Sequence, residues 1–362
     1  MRSWEVSGRR DMGIAGVGVV FGGQSPEHEV SLASARGVIE NAQLLGWDLL
    51  PVGVGRDGTW HLGPGALHVL WQQSDQRRIP GRDTFQAEPG PVVSYPALPP
   101  TDAFAGFPVV LPVTHGGWGE DGTLQQMLLA AGLHLIGCGP QASADCLDKA
   151  RAKSVLAKAG IPVTRGTVVP RTAADAPDLL HRLVERVGPP PWFVKPQSGG
   201  SSVGISRVDS PDDVRTALQR ALVHDEGVVV EQLVPHRELV VGIVGRSSLI
   251  VSPPGECRPV GDLYTYEEKY AVGNPLFTCP ADLDSATTDE ARALADAAYR
   301  ALNCDVFARV DLFLDQLTGK LLVNEVNTIP GMTSTSVFPK VMRAAGLDYP
   351  NLLHALHAAA LE

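Results

Sequence analysis

The stretch Trp192–Ser206, WFVKPQSGGSSVGIS, runs from apolar residues ending on Lys195 through a loop of glycines and serines into a second strand-like run. Glycines in such a hairpin let backbone N–H groups turn toward an anion, and the serine hydroxyls add donors. Lys195 supplies the charge. An ordinary glycine-rich surface turn has the same composition, so the loop takes its meaning from its company.

That company is a pair of apolar runs, Val306–Leu314 and Leu321–Asn327, joined by a turn at DQLTGK. Side chains two apart on a strand share a face, so Arg309 and Asp311 point one way, as do Glu325 and Asn327. Buried carboxylates cost several kcal/mol each unless paired or bound to a cation. Hard oxygen ligands suit Mg²⁺, which completes its octahedron with water and phosphate oxygens. An internal salt-bridge network of Arg309 with Asp311 or Glu325 is the competing reading. Two further charges stand out, Glu27 at the start of the first helix and Lys149 in DKARAK. The helix after Gly22-Gly23 turns free N–H groups toward a cleft, and a carboxylate there favours an ammonium or simply balances the dipole. His115, in HGGWGEDG, is a ligand-facing donor or a buttress.

The rest of the chain limits the alternatives. A formal net charge of -10 gives no general attraction for nucleic acid or anionic lipid, so a polyanionic ligand needs a local basic site. The five cysteines lack paired metal-ligand spacing and read as reduced structural thiols, and no apolar run is long enough to span a membrane. Gly53–Gly58 fits G-x-G-x-x-G, but TWHL follows where a dinucleotide site needs a helix. Gly200–Gly204 fits G-x-S-x-G, but the strand-like ISRV follows where a nucleophile elbow needs a helix. His354 and His357 share a helix face without a third ligand, which makes them a surface stripe rather than a metal site.

The pattern along the chain is α/β and then α+β. Residues 1–12 read as a loose tail. Residues 13–141 read as an α/β unit that opens strand, turn, amphipathic helix, and carries an irregular Pro/Gly-rich connection over 89–106. A long helix, ASADCLDKARAKSVLAKAG, opens a second unit over 142–233, whose β-rich runs surround one helix seeded by Ser210-Pro211-Asp212-Asp213. Residues 234–362 hold a tyrosine-rich irregular segment, the helix TTDEARALADAAYRALN, the strand pair and a closing helix.

In order and spacing, FGGQSPEHEVS, HGGWGEDGT, LDKARAK, FVKPQSGGSSVGIS, YTYEEKY, ARVDLF and NEVNTIPGMTSTS resemble the D-alanine:D-alanine ligases of the ATP-grasp superfamily, from about Gly16 to the C-terminus. The resemblance implies a three-domain ATP-grasp architecture: an N-terminal α/β domain, and a nucleotide site between the central and C-terminal domains. It implies that Glu27 holds the first D-alanine's ammonium in a hydrogen-bonded set with Ser201 and Tyr270, with His115 close by. Lys149 and Lys195 fall where nucleotide phosphates are held, with the loop hydroxyls of Ser201 and Ser202. Glu231, Gln232 and Leu233 fall on the segment that reads adenine, and Glu238 on the ribose contact. Asp311, Glu325 and Asn327 correspond to the ligands of two Mg²⁺ ions, a site that also admits Mn²⁺. Arg309 and the Gly331 backbone correspond to groups that stabilise the tetrahedral intermediate, and Ser336 and Val337 to the pocket for the second D-alanine's carboxylate. Lys269 and Tyr270 belong to a lid over 262–270 and resemble the peptide-forming members rather than the ester-forming ones.

The implied reaction passes the γ-phosphate of ATP to the first D-alanine's carboxylate, after which the second D-alanine's amine attacks the acyl phosphate. Its product serves peptidoglycan precursors. The implied setting is a cytoplasmic homodimer without nucleic-acid or membrane partners. Gly199 and Val337 stand where many members carry larger residues, and residues 60–106 follow no family motif, as an insertion would. Three readings compete: a sibling ligase with D-lactate, D-serine or another amino acid as acceptor, a serine hydrolase built on Ser202, and a nucleotide-binding regulator without turnover.

Overall fold

The computed structural model describes residues 16–75, 87–200, 203–258 and 277–362. All element assignments below refer to these residues. The tail over 1–12, the lid with Lys269 and Tyr270, and the loop hydroxyls Ser201 and Ser202 lie outside them.

The first sheet is built from β1 (Val17–Gly22), β2 (Leu49–Val54), β3 (Trp60–Leu62), β4 (Val93–Tyr95), β5 (Val109–Pro112) and β6 (His134–Leu135), in the order β4-β3-β2-β1-β5-β6. β1 is buried along its whole length, which suits a near-continuous apolar run between parallel neighbours β2 and β5. Helices α1 (His28–Leu44), α2 (Ala66–Gln73) and α3 (Thr123–Ala130) cover it. The G-x-G-x-x-G stretch is a hairpin turn between β2 and antiparallel β3, as its context implied. The described residues within 60–106 extend the sheet at one side with two antiparallel strands, β3 and the edge strand β4, and the connection read as irregular contains β4, registered against β3.

The run read as one long helix is two, α4 (Pro140–Leu147) and α5 (Lys149–Lys158). Asp148 breaks it: with φ −81° and ψ 100° it leaves the helical region, and its carboxylate accepts the N–H groups of Ala150 and Arg151. A short acidic side chain that caps a following turn competes with continuing the preceding one.

The second sheet has the order β7-β10-β8-β9, from β7 (Gly166–Pro170), β8 (Trp192–Pro196), β9 (Ser206–Val208) and β10 (Gly227–Gln232). Two helices pack on it rather than one. The unforeseen α6 (Leu179–Val187) buries Leu179, Leu183 and Val187, a four-residue repeat that marks one helix face. The other, α7 (Val214–Ala221), follows a single 3₁₀ turn over Pro211–Asp213 that Ser210 caps.

In the third sheet, β11 (His236–Val244) is central. It pairs with β12 (Ile250–Val251), with β13 (Gly255–Cys257), which carries β14 (Phe277–Thr278), and with β15 (Phe307–Asp315), followed by β16 (Leu321–Asn327). Helix α8 (Ser285–Ala301) packs on this sheet. The chain closes with α9 (Val337–Ala344) and α10 (Tyr349–Leu361), which return to the first unit. Leu352, Leu353 and Leu356 share one core with Val17, Phe21 and Leu32.

Candidate active site

Adjacent register places the two polar pairs together: Arg309 lies opposite Asn327 and Asp311 opposite Glu325, with a bulge immediately after Asp311. Such a bulge re-aims side chains at a sheet rim. Arg309 grips Asp311 through two bonds of 2.7 and 2.6 Å, and Asn327 donates to Asp311 Oδ2 at 3.3 Å. The salt bridge offered as a rival to a metal site is therefore real. Burial would lower the guanidinium's pKa, but Asp311 more than offsets this and holds it well above the usual arginine range.

Arg309, Glu325, Asn327 and Gly331 open onto one cleft, which Glu27, His115 and Lys149 also line. Each is held by its own element. Ser25 Oγ accepts the Glu27 N–H at 3.0 Å, which positions the N-cap of α1 without use of the Glu27 carboxylate. Gly116, at φ +69°, brings the HGGWGE loop so close that a Cβ there would lie 2.9 Å from Glu27 Oε2. His115 is buried, with Nε2 3.0 Å from Ser34 Oγ and Nδ1 3.6 Å from Glu120 Oε1. Lys149 donates to the Gly199 carbonyl at 2.6 Å, so its ammonium touches the glycine loop directly. Burial lowers its pKa, which Glu325 partly offsets.

A second charged group lies between the second and third sheets. Glu231 is 1% exposed and takes Lys195 at 2.9 Å on one oxygen and Lys153 on the other, while Lys153 also donates to Thr164. Burial alone would raise the Glu231 pKa, but Lys153 and then Lys195 bring it down to about 2. Lys195 is desolvated too, yet Glu231 raises its pKa. For Lys153 desolvation outweighs the attraction of Glu231 and lowers it. The neighbouring Gln232 and Leu233 give their backbone N–H groups to Arg165 and Pro191 carbonyls at 2.9 and 3.0 Å. Glu238 sits on β11 opposite Phe313.

Family models described as D-ala D-ala ligase N-terminus and D-ala D-ala ligase C-terminus match residues 16–138 and 155–357. The chain belongs to the D-Ala-D-Ala ligase family. It is 40% identical to the D-alanine–D-alanine ligase of Deinococcus radiodurans, over 95% of this chain and 98% of that one. Its identity to the Caldicellulosiruptor bescii protein of the same name is 37%, over 96% and 95%. Among solved structures, the VanG D-Ala:D-Ser ligase from Enterococcus faecalis superposes with a TM-score of 0.78 at 32% identity, covering 96% of this chain and 99% of that one. The fold is that of the ATP-grasp ligases, and ATP dependence comes with the family.

Seen within the family, the two groups account for most of the anticipated residues that are described. Glu27, His115, Lys149, Arg309, Glu325, Asn327 and Gly331 share the cleft, and Lys195 and Glu231 meet in the buried group. Ser336 lies behind the cleft, where its Oγ accepts the Thr333 N–H at 3.1 Å, and Val337 opens α9 against Phe277 and Val240. Glu120 and Lys153 were not singled out beforehand. Lys153 was legible in hindsight, since DKARAK places it one turn beyond Lys149 on the same helix face.

For a divalent ion the donor set is two carboxylates and an amide oxygen, Asp311, Glu325 and Asn327, on paired strands. No group of three His, Cys, Asp or Glu forms a closed cage among the described residues. An all-oxygen, incomplete set fits magnesium, which takes its remaining ligands from water and substrate phosphates. The decoys resolve otherwise. His354 and His357 pack against the Trp47 ring at 5.7 and 5.3 Å, and the G-x-S-x-G stretch runs into β9 rather than a helix. All five cysteines are free thiols, though Cys146 and Cys304 approach to 3.9 Å. No helix among the described residues is long and apolar enough to cross a membrane.

Proposed function

We propose that this chain joins two D-alanines into D-alanyl-D-alanine for peptidoglycan precursors, using ATP. The observation that carries the reading is the meeting of Glu27 and His115 with Lys149, Arg309, Glu325 and Asn327 on one cleft, in a chain of this family. A site for an ammonium thus shares one cleft with a site for phosphate and carboxylate.

Glu27 orients the first D-alanine by its ammonium, with His115 beside it. Lys149 and Lys195 take the phosphates of ATP, and the segment from Glu231 to Leu233 with Glu238 takes the nucleoside. Asp311, Glu325 and Asn327 would hold magnesium, which would supply positive charge to offset that of the phosphates. A carboxylate oxygen of the first D-alanine bonds to the γ-phosphorus and the bond to ADP breaks. The second D-alanine, its carboxylate held near Ser336 and Val337, then attacks the acyl carbon through its amine. Phosphate leaves, and the amine gives up a proton. Arg309 and the Gly331 N–H stabilise the tetrahedral oxyanion between those events. Catalysis is therefore placement and charge stabilisation rather than covalent chemistry by the protein.

The test is ADP release measured across a panel of D- and L-amino acids and D-lactate, with products weighed by mass spectrometry. D-Alanine alone is expected to give stoichiometric ADP and dipeptide. ATP turnover that ignores D-alanine, or bond cleavage without ATP, would overturn the reading.

A further inference from the structure

Helix α1 does more than present Glu27. Ser31, Ser34 and Gly37 recur every third residue and so share one face. Ser31 Oγ donates to the Val113 carbonyl at 2.7 Å and accepts the Gly22 N–H at 2.8 Å, which ties the ends of β1 and β5 to the helix. Ser34 is fully buried and stands between two segments far apart in sequence. Its Oγ lies 3.0 Å from His115 Nε2 and accepts the Met332 N–H at 3.2 Å. Gly37 completes the seat: a Cβ there would lie 2.6 Å from the Met332 carbonyl oxygen, which also accepts the Tyr349 hydroxyl. Met332, the residue after Gly331, is thus gripped at its N–H by Ser34 and at its carbonyl by Tyr349.

A serine hydroxyl has one proton and two lone pairs. One lone pair is committed to Met332 N–H, and the described bonds of Ser34 leave His115 Nε2 as the one remaining polar partner. If the proton goes to Nε2, the ring carries its own proton on Nδ1, the nitrogen that faces Glu120 Oε1 at 3.6 Å. The opposite tautomer would put an N–H against the hydroxyl and leave Nδ1 bare toward a carboxylate, two lone-pair-bearing atoms face to face.

We propose that Ser34 is a positioning residue for the ligase reaction: it fixes His115 in the Nδ1–H tautomer and, through the same oxygen, sets the Gly331–Met332 peptide. One hydroxyl therefore couples the first substrate's pocket to the peptide that follows Gly331, the residue whose N–H meets the tetrahedral oxyanion. This rests on the roles proposed above for His115 and Gly331.

Imidazole ¹⁵N NMR of the protein without ligands tests the tautomer independently of any activity. His115 is expected to show an unprotonated Nε2 and a protonated Nδ1. Ser34→Ala should shift that signature and lower kcat by about tenfold to a hundredfold, the scale of a misplacement near 1 Å, while Ser34→Thr, which keeps the hydroxyl, restores the signature. Gly37→Ala pushes on Met332, with the Tyr349 hydroxyl and Thr333 beside it, and not on His115, so it should lower kcat with the His115 signals unchanged. A protonated Nε2 in the unmutated protein, or a Ser34→Ala variant with normal kcat and unchanged signals, overturns the proposal. Should Ser34→Ala not fold, the unmutated spectrum and the Gly37→Ala kinetics decide it, full turnover in the latter counting against. A protein without D-alanine activity but with the expected tautomer would sink the functional reading and leave the His115 half of the proposal standing.

Discussion

The cleft and the buried group use the same residue types in opposite ways. In the buried group, one carboxylate, Glu231, lies between two ammonium groups, and the desolvated charges satisfy one another. At the cleft, Lys149 spends its ammonium on a loop carbonyl, and Arg309, Glu325 and Asn327 keep atoms on the open wall. Charges that satisfy one another in the interior hold protein together, whereas charges that line a cavity can meet a ligand as well as their protein partners. Fold stability and chemistry should therefore separate on substitution.

The sharpest break is at Glu325. Glu325→Ala is expected to lower ligation by more than about a hundredfold, since even partners of metal ligands cost up to that much. Its thermal unfolding should stay close to that of the unmutated chain, and near-normal turnover would remove Glu325 from the metal set. Next is Glu231→Gln, which leaves two buried ammonium groups without their counterion. It should cost about 3–5 kcal/mol of stability, read from denaturant midpoints. A loss confined to activity would erase the contrast between the two groups.

Acid sharpens the same comparison. The folded pKa of Glu231, about 2, lies below its ordinary value of 4.5. The ionised carboxylate therefore contributes stability that is fully present above pH 4.5 and is lost as pH falls toward 2. Unfolding followed over that interval should show a loss of about 3 kcal/mol that Glu231→Gln lacks. The smallest effect belongs to the surface. Arg171 and Glu226 bond at 2.7 Å, but the glutamate side chain is 83% exposed, so Glu226→Gln should change stability by less than about 1 kcal/mol. A larger loss there would show that exposure is a poor guide to which charges matter in this fold.

The sequence was most legible where a period or a motif stood in an apolar setting. The strand pair around Asp311 and Glu325 could be read because polar and charged residues at two-residue spacing, Arg309 with Asp311 and Glu325 with Asn327, contradict their apolar surroundings. The hairpin at Gly53–Gly58 could be read because strand residues follow it. Legibility failed where tertiary contacts decide. Asp148 ends one helix and caps the next with a single carboxylate, which composition cannot separate from a charged residue on a continuous helix. Edge strand β4 exists because β3 offers it a partner, and no local signal in a Pro/Gly-rich stretch announces that. The helix spacing places Lys153 beside Lys149, but its partner Glu231 is 78 positions away and only the fold brings the two together.

The return of α9 and α10 to the first sheet has a consequence for how the chain is made. Phe338, Leu352 and Leu356 fill the same core as Val17 and Phe21, although more than three hundred residues separate them. As the polypeptide leaves the ribosome, the opening sheet has its helix α1 but lacks the apolar cover that only the final segment brings. Domains commonly fold as units during synthesis, N-terminal first. Here the first unit to emerge should be the last to become stable, and a nascent chain halted near residue 330 should expose its opening sheet to proteases that spare the finished protein.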